Sequence, residues 1–165
     1  MAPTTAHRLI LMAVALPAAL IGLLLPATVT AQRTVPPFRI RSVRAMLFYG
    51  QTGTFSPDLF GPSAPTLQNV STGEGQAIAT LVVVEITGRP DSYAPARKIA
   101  LMATAGNRSL LTKSLALGRA GDDGKFYAAF WLYETSCTPV VLKARILGQL
   151  EDSALQKTLN FRCGD

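Results

Sequence analysis

The run from Lys125 to Glu134 constrains the fold of this chain more than any other feature, because it alternates in the way a β-strand does. Side chains of a strand point in turn to its two faces. One face of the run is wholly apolar and carries Phe126, Ala128, Phe130 and Leu132. The other is aromatic with polar groups and carries Tyr127, Ala129, Trp131 and Tyr133. We expect the first face to lie in a core and the second to be either half solvated or covered by another element.

Other segments of similar length also have the composition of strands and are separated by turns rich in Gly, Pro, Asn and Asp. These segments are 38–49, 76–87, 97–105, 109–117, 139–147 and 155–163, with a shorter candidate at 66–70. No segment after residue 31 has a convincing amphipathic helical pattern. The pattern predicts an all-β chain, an Ig-like antiparallel β-sandwich with two sheets and about seven to nine strands. The antibody order Cys, Trp, Cys is absent, since Trp131 precedes both cysteines.

Several local features refine this prediction. The apolar phase of the first strand shifts, which predicts a β-bulge near Ser42. The run Leu81–Val84 is apolar on both faces, as in a strand buried in the middle of a sandwich. Gly106-Asn107 predicts a tight hairpin turn, and Asp122-Asp123-Gly124 predicts another turn. Residues 54–70 read as a long surface loop, because Gly61 to Pro65 suits neither a helix nor a central strand.

The beginning of the chain has the pattern of a signal peptide. A short basic start at His7-Arg8 precedes an uncharged apolar run, Leu9–Leu25, and small residues follow up to Ala31. We therefore predict a signal peptide over residues 1–31, a Pro-rich tail over 32–37 and a β-sandwich domain over 38–165. The alternative is an uncleaved anchor, because the apolar run approaches the length of a membrane span. No later apolar run reaches that length, so no transmembrane span is predicted in the mature chain.

The predicted mature chain is moderately basic. The whole sequence has 16 Lys and Arg against 10 Asp and Glu, and loss of Arg8 with the leader leaves a net charge of +5. Such an excess favours acidic partners in general, including anionic glycans, although solubility alone explains it. A nucleic acid partner is not expected.

The two cysteines, Cys137 and Cys163, suit an oxidising compartment. They flank two segments that read as neighbouring antiparallel strands, so the pattern predicts a disulfide between them. Closing that loop would contribute ~3 to 4 kcal/mol of stability. The spacing is not Cys-x-x-Cys, and partner ligands are missing, so a metal or redox pair is not predicted.

The composition excludes several kinds of catalysis. The only histidine, His7, leaves with the predicted signal peptide. The mature chain therefore has no Ser-His or Cys-His relay and no imidazole ligand for a metal. No cofactor or metal site is predicted. Two acids, Glu85 and Glu134, each end an apolar strand and leave open a small carboxylate-dependent hydrolase.

One set of residues is a candidate ligand-binding face. On the strands after Pro139, apolar residues alternate with outward polar and basic ones. If these outward residues share a face with the aromatic rings, they form a surface suited to sugars and acidic groups, made of Tyr127, Trp131, Tyr133, Lys143, Arg145, Asn160 and Arg162. The alternative is that residues 55–65 cover Trp131 and that the cations form an ordinary solvated face.

These observations predict a non-catalytic protein exported to the periplasm or the extracellular medium. It is expected to act by binding or by structural association with a protein or another envelope or extracellular component. A module that binds carbohydrates or acidic glycans is the first alternative, and the carboxylate-dependent hydrolase is the second.

Overall fold

The computed structural model describes residues 38–64, 75–135, 137–149 and 153–161. All of them belong to one compact unit. The predicted signal peptide 1–31, the tail 32–37 and the short strand at 66–70 lie outside the described residues, as do Arg162 and Cys163. The predictions that concern them are therefore neither confirmed nor contradicted.

The described residues form eight strands and no helix, which confirms the all-β prediction. The strands are β1 (Arg39–Tyr49), β2 (Thr54–Phe55), β3 (Ala77–Thr87), β4 (Lys98–Ala105), β5 (Arg108–Ala116), β6 (Lys125–Leu132), β7 (Val140–Leu147) and β8 (Ala154–Leu159). The first sheet has the order β2-β1-β3-β6 and the second has the order β5-β4-β7-β8. Every pairing is antiparallel. Within this part of the chain there is no helix long and apolar enough to cross a bilayer.

The two sheets share one core, because each directs its apolar residues toward the other. On β6 the predicted core residues Ala128, Phe130 and Leu132 are buried, and on β7 Val140, Leu142, Ala144 and Ile146 are buried. They belong to a single hydrophobic cluster with residues of β1, β3 and β4. The predicted alternation of β6 and β7 is thus confirmed, and the exposed residues of each strand lie on the side away from the core.

The first strand contains the predicted bulge. Its register against β3 shifts between Ile40 and Ser42. An extra residue in one strand reverses the faces of the residues that follow. The shift brings Val43, Ala45 and Leu47 into the core.

The third strand differs from the prediction. Val82 and Val84 are fully buried, but Leu81 and Val83 on the opposite side are only half-buried. The strand does lie in the middle of its sheet, between β1 and β6. Its outer face, however, is not fully covered by any described element, so an apolar strand contributes to the surface.

Both predicted turns are present. Gly106 in the hairpin between β4 and β5 has a φ of 56°, and Gly124 before β6 has a φ of 73°. At Gly124 a Cβ atom would also lie 2.5 Å from the carbonyl oxygen of Gly88. Glycine is therefore required there both for the positive φ and for the close approach of two loops.

The described part of the predicted long loop packs along the edge of β1. Ser56 N donates to the Leu47 carbonyl (2.9 Å), and Leu47 N donates to Ser56 Oγ (2.9 Å). Further along the loop, Leu59 N donates to the Ala45 carbonyl (2.7 Å), and Ala45 N donates to Asp58 Oδ1 (3.0 Å). Two side chains thus supply the acceptors that a neighbouring strand would supply, which protects this edge from pairing with another chain.

Candidate binding site on the outer face of the first sheet

The outer face of the first sheet is apolar toward one end. The strand register aligns Met46, Leu81 and Trp131 side by side on β1, β3 and β6. The next row toward the other end contains Val83 and Ala129, with the exposed Arg44 of β1 beside them. An antiparallel sheet with one solvated face normally carries polar residues on that face. At this end of the sheet, most of the residues on the solvated face are apolar instead.

Three aromatic rings meet on this face. The centroids of Phe48 and Phe55 are 5.1 Å apart, and those of Phe55 and Trp131 are 6.1 Å apart. Phe48 meets Trp131 edge to face, at 5.8 Å and 74°. These are favourable separations for aromatic pairs. Together with Tyr133 we call these residues the aromatic patch: Phe48, Phe55, Trp131 and Tyr133.

The patch is fixed in place and yet accessible. Trp131 is 38% exposed even though two phenylalanine rings pack against it, and Tyr133 is 62% exposed. The expectation that residues 55–65 cover Trp131 is therefore only partly met, because Phe55 contacts the indole and leaves much of it open. A rigid ring that is still exposed can bind a ligand with little loss of side-chain entropy.

Two depressions lie on either side of Trp131 and Tyr133. The outer depression, about 210 Å³ in volume, is on the sheet face and is lined by Phe48, Ile78, Ala79, Trp131 and Tyr133. The edge depression, about 470 Å³, is between β5 and β6 and is lined by Leu110, Leu111, Lys113, Ala129, Trp131, Tyr133 and Glu134. The two aromatic side chains form the ridge that both depressions share.

Glu134 has an unusual backbone conformation at the rim of this site. Its φ is 56°, which non-glycine residues rarely adopt. Arg108 Nη2 donates a hydrogen bond to its carbonyl oxygen (3.1 Å) and so helps to hold this conformation. Strained conformations of this kind concentrate at functional sites. Glu134 lines the edge depression and also a third depression of about 380 Å³ at the start of β3.

The third depression is also lined by a residue whose hydroxyl is buried. Thr80 is one of its lining residues and is completely buried. Its Oγ1 atom has no hydrogen-bond partner. A buried hydroxyl without a partner is costly and uncommon.

The other end of the same face is polar. Ser42, Glu85 and Tyr127 are aligned across β1, β3 and β6. Ser42 Oγ donates a hydrogen bond to Glu85 Oε2 (3.0 Å). The face therefore changes from apolar to polar along the strands, with Tyr127 at the polar end and Trp131 at the apolar end.

The structure does not bring the predicted aromatic and basic residues together. Tyr127 and Trp131 lie on β6 of the first sheet, with Tyr133 just after it, whereas Lys143 and Arg145 lie on β7 of the second sheet. Because the sheets turn their apolar sides toward one core, their exposed sides face in opposite directions. Asn160 follows β8 of the second sheet and is exposed. The prediction of one shared aromatic and basic face is wrong.

The two candidate acids are also far apart. Glu85 is paired with Tyr127, and β6 continues for five more residues to Leu132 before Glu134 follows. Five residues of a strand span about 17 Å. Paired carboxylates in glycosidases are roughly 5 to 9.5 Å apart. These two acids therefore do not form the pair on which the hydrolase alternative depended.

Acidic residues elsewhere do not gather into a metal site. Within the described ranges, no group of three or more His, Cys, Asp or Glu side chains could hold a metal ion. Asp123 in the turn before β6 pairs instead with Lys125 (3.1 Å).

Cys137 is not a free thiol. Its predicted partner, Cys163, lies outside the described residues. The Cys137–Cys163 pairing therefore stays a prediction.

Phe48 and Phe55 were missed as site residues from the sequence. The phase shift at Ser42 could have identified Phe48, because it turns Met46 and Phe48 away from the core. No comparable signal existed for Phe55, because its contact with Trp131 depends on a two-residue strand inside a loop.

No known protein-family model matches this chain, and no curated protein matches it significantly.

Proposed function

We propose that this chain is an exported, non-catalytic binding protein and that the aromatic patch is its binding surface. The observation that supports this most directly is the block of apolar and aromatic residues on the outer face of the first sheet. Contiguous exposed apolar surface on a soluble domain commonly marks an interaction site. Aromatic residues are also the most enriched anchors of binding surfaces.

The partner we propose is a component of the cell envelope or the extracellular medium. The cations Lys143 and Arg145 lie on the opposite sheet, so they give no support to an anionic glycan at the patch. The separation of Glu85 from Glu134 likewise gives no support to a hydrolase built on those acids.

The strand order supports the Ig-like type of sandwich. If the two-residue β2 at the edge of the first sheet is left aside, lettering β1, β3, β4, β5, β6, β7 and β8 as A, B, C, C′, E, F and G gives the sheets A-B-E and C′-C-F-G. The Ig fold likewise places A, B and E in one sheet and C, F and G in the other, and its variable type adds C′ beside C. We therefore propose that this domain is Ig-like, with the patch on the outer face of its A-B-E sheet.

Export and the disulfide are part of the same proposal. The protein should be recovered from the periplasm or the medium with Gln32 as its first residue, which N-terminal sequencing can check. Cys137 and Cys163 should react with iodoacetamide only after reduction. Retention of residues 1–31 would contradict cleavage, and alkylation without reduction would contradict the disulfide.

Trp131 provides a direct test of binding, because it is the only tryptophan in the chain. Its fluorescence emission should change in a saturable way with a ligand that covers the patch. We suggest titrations with peptidoglycan fragments, neutral oligosaccharides, phospholipid vesicles and a synthetic apolar peptide.

A change in emission should be lost in Phe55→Ser and retained in Met102→Ala. Met102 is a suitable control because it is an exposed apolar residue on the second sheet, which is on the opposite side. If no probe changes the emission, or if the two variants behave alike, the patch is not the binding surface.

A further inference from the structure

We infer that the ligand of the aromatic patch is a neutral oligosaccharide that lies along β6 and stacks on Trp131 and Tyr133. This inference rests on the proposed binding function and specifies the chemical class of the ligand. The shape, hydrogen-bonding groups, charge and rigidity of the site all favour such a ligand.

The shape of the site favours an extended ligand. Trp131 and Tyr133 both line the two depressions, so their side chains lie next to each other. Tyr127 lies on the same side of β6 and is exposed as well. Described residues form no strand on the other side of β6, so a ligand can approach this row of rings along the sheet edge.

The hydrogen-bonding groups beside the rings suit hydroxyls. A sugar ring has an apolar C–H face, which can pack on an aromatic ring, and a rim of hydroxyls that both donate and accept. The edge depression contains Lys113, which only donates, Glu134, which when ionised only accepts, and Tyr133, which does both. Ligand sites typically combine apolar walls with a few polar groups of this kind.

The charge of the site favours a neutral ligand. The two charged residues that line the edge depression, Lys113 and Glu134, have opposite signs. Two further cations lie near the rings: Arg108 donates to the Glu134 carbonyl, and the exposed Arg44 is on the same sheet face, one row from Trp131. A uronic acid or sulfated chain would still meet the Glu134 carboxylate.

The side chains and backbone of the site are ordered before a ligand binds. Phe48 and Phe55 fix the indole of Trp131, and Arg108 supports the backbone at Glu134. Sugars bind weakly through a few stacking contacts and hydrogen bonds, so a site that is already ordered loses less free energy on binding. An apolar peptide would use the ring contacts but would leave Lys113 and Glu134 without a role.

The test is a titration of the mature, oxidised protein with cellohexaose, chitohexaose, mannohexaose and xylohexaose, followed by Trp131 emission. A heparin hexasaccharide and a synthetic apolar peptide are run beside them. We expect saturable binding of at least one neutral sugar. Glu134→Gln should weaken it by about tenfold, because a neutral amide oxygen is a weaker acceptor than a carboxylate.

Tyr133→Ala should weaken sugar binding more than the matched control Tyr93→Ala. Tyr93 is equally exposed, at 65%, but lies in the loop between β3 and β4, away from the patch. Circular dichroism of each variant checks that it is folded, and Glu134→Gln provides a second test if Tyr133→Ala is not.

The outcomes separate this inference from the proposed function. If only the apolar peptide or heparin binds at Trp131, the patch is a binding surface but the inference of a neutral sugar is wrong. If sugar binds equally well to Tyr133→Ala and Tyr93→Ala, the stacking geometry is wrong. If nothing binds, both the inference and the proposed function fail.

Discussion

The side-chain amide of Gln149 pairs with the backbone of Phe38 in both directions. Phe38 N donates to Gln149 Oε1 (3.1 Å), and Gln149 Nε2 donates to the Phe38 carbonyl (2.9 Å). Ile40 N, two residues on, donates to Ser153 Oγ (3.0 Å). Residues next to the β7–β8 turn therefore pair with the beginning of β1 as a short strand would. This contact joins the two sheets at the end of the sandwich opposite the aromatic patch.

The first prediction concerns this amide. Gln149→Ala should lower the free energy of unfolding by about 1 to 3 kcal/mol, because the buried residue Phe38 loses a partner for both its N–H and its carbonyl. Gln156→Ala is the matched control, since Gln156 is exposed on β8. It should change stability by no more than about 0.5 kcal/mol. Urea unfolding measures the stability of both variants. If they lose the same free energy of unfolding, the hydrogen bonds to Phe38 contribute nothing to stability.

The second prediction concerns Asp58, whose Oδ1 accepts hydrogen bonds from Ala45 N (3.0 Å) and Phe60 N (3.2 Å). Asp58→Ala should destabilise the fold by about 1 to 3 kcal/mol, since two backbone donors lose their acceptor. Asp58→Asn should recover most of this loss, because an amide oxygen can also accept. Chemical denaturation distinguishes the variants.

Asp122→Ala, in the exposed turn before β6, is the control for Asp58 and should have little effect. If Asp58→Asn were as unstable as Asp58→Ala, the negative charge rather than the hydrogen-bond geometry would be responsible.

Much of the fold could be predicted from the sequence because strands repeat with a period of two. The alternation in β6 and β7 identified their core faces, and the phase shift identified the bulge near Ser42. The glycines in the sequence identified two turns, because the turns require positive φ values, which Gly106 and Gly124 adopt. Each of these signals is local, so a single sequence is enough to show it.

The site could be predicted only in part, because alternation does not reveal the sheet to which a strand belongs. Trp131 and Lys143 were both correctly predicted to lie opposite core residues, yet β6 pairs with β3 whereas β7 pairs with β4. Those pairings depend on contacts between distant segments. For the same reason Phe55, on a two-residue strand, gave no sign that it contacts Trp131.

The third prediction concerns pH. The pKa of Asp123 is lowered from 3.8, first because the Lys125 N–H donates to its Oδ1 (2.9 Å) and then because of the nearby ammonium of Lys125. The folded pKa is therefore below the unfolded one. The contribution to stability is present above pH 3.8 and is lost as the pH falls through the folded pKa. Both side chains are exposed, so salt should weaken the effect.

An NMR titration of the Asp123 carboxyl carbon tests this prediction. The midpoint should be below 3.8 in the folded protein and should rise in urea. Lys125→Met should raise the folded midpoint only part of the way, because the backbone donor, which has the largest effect, remains. A complete return to the unfolded midpoint would show that the ammonium, not the backbone hydrogen bond, lowers this pKa.

The last prediction concerns Thr80, whose buried Oγ1 has no partner. The register places Thr80 between Leu47 and Leu132, which are both buried core residues. Thr80→Val keeps the shape of the side chain and removes the hydroxyl, so it should raise the free energy of unfolding by about 1 kcal/mol. Thr158→Val, exposed on β8, is the matched control and should change it by less than about 0.5 kcal/mol. A loss of stability in Thr80→Val would instead mean that the hydroxyl has a bound water as its partner, since only a satisfied hydroxyl stabilises the fold.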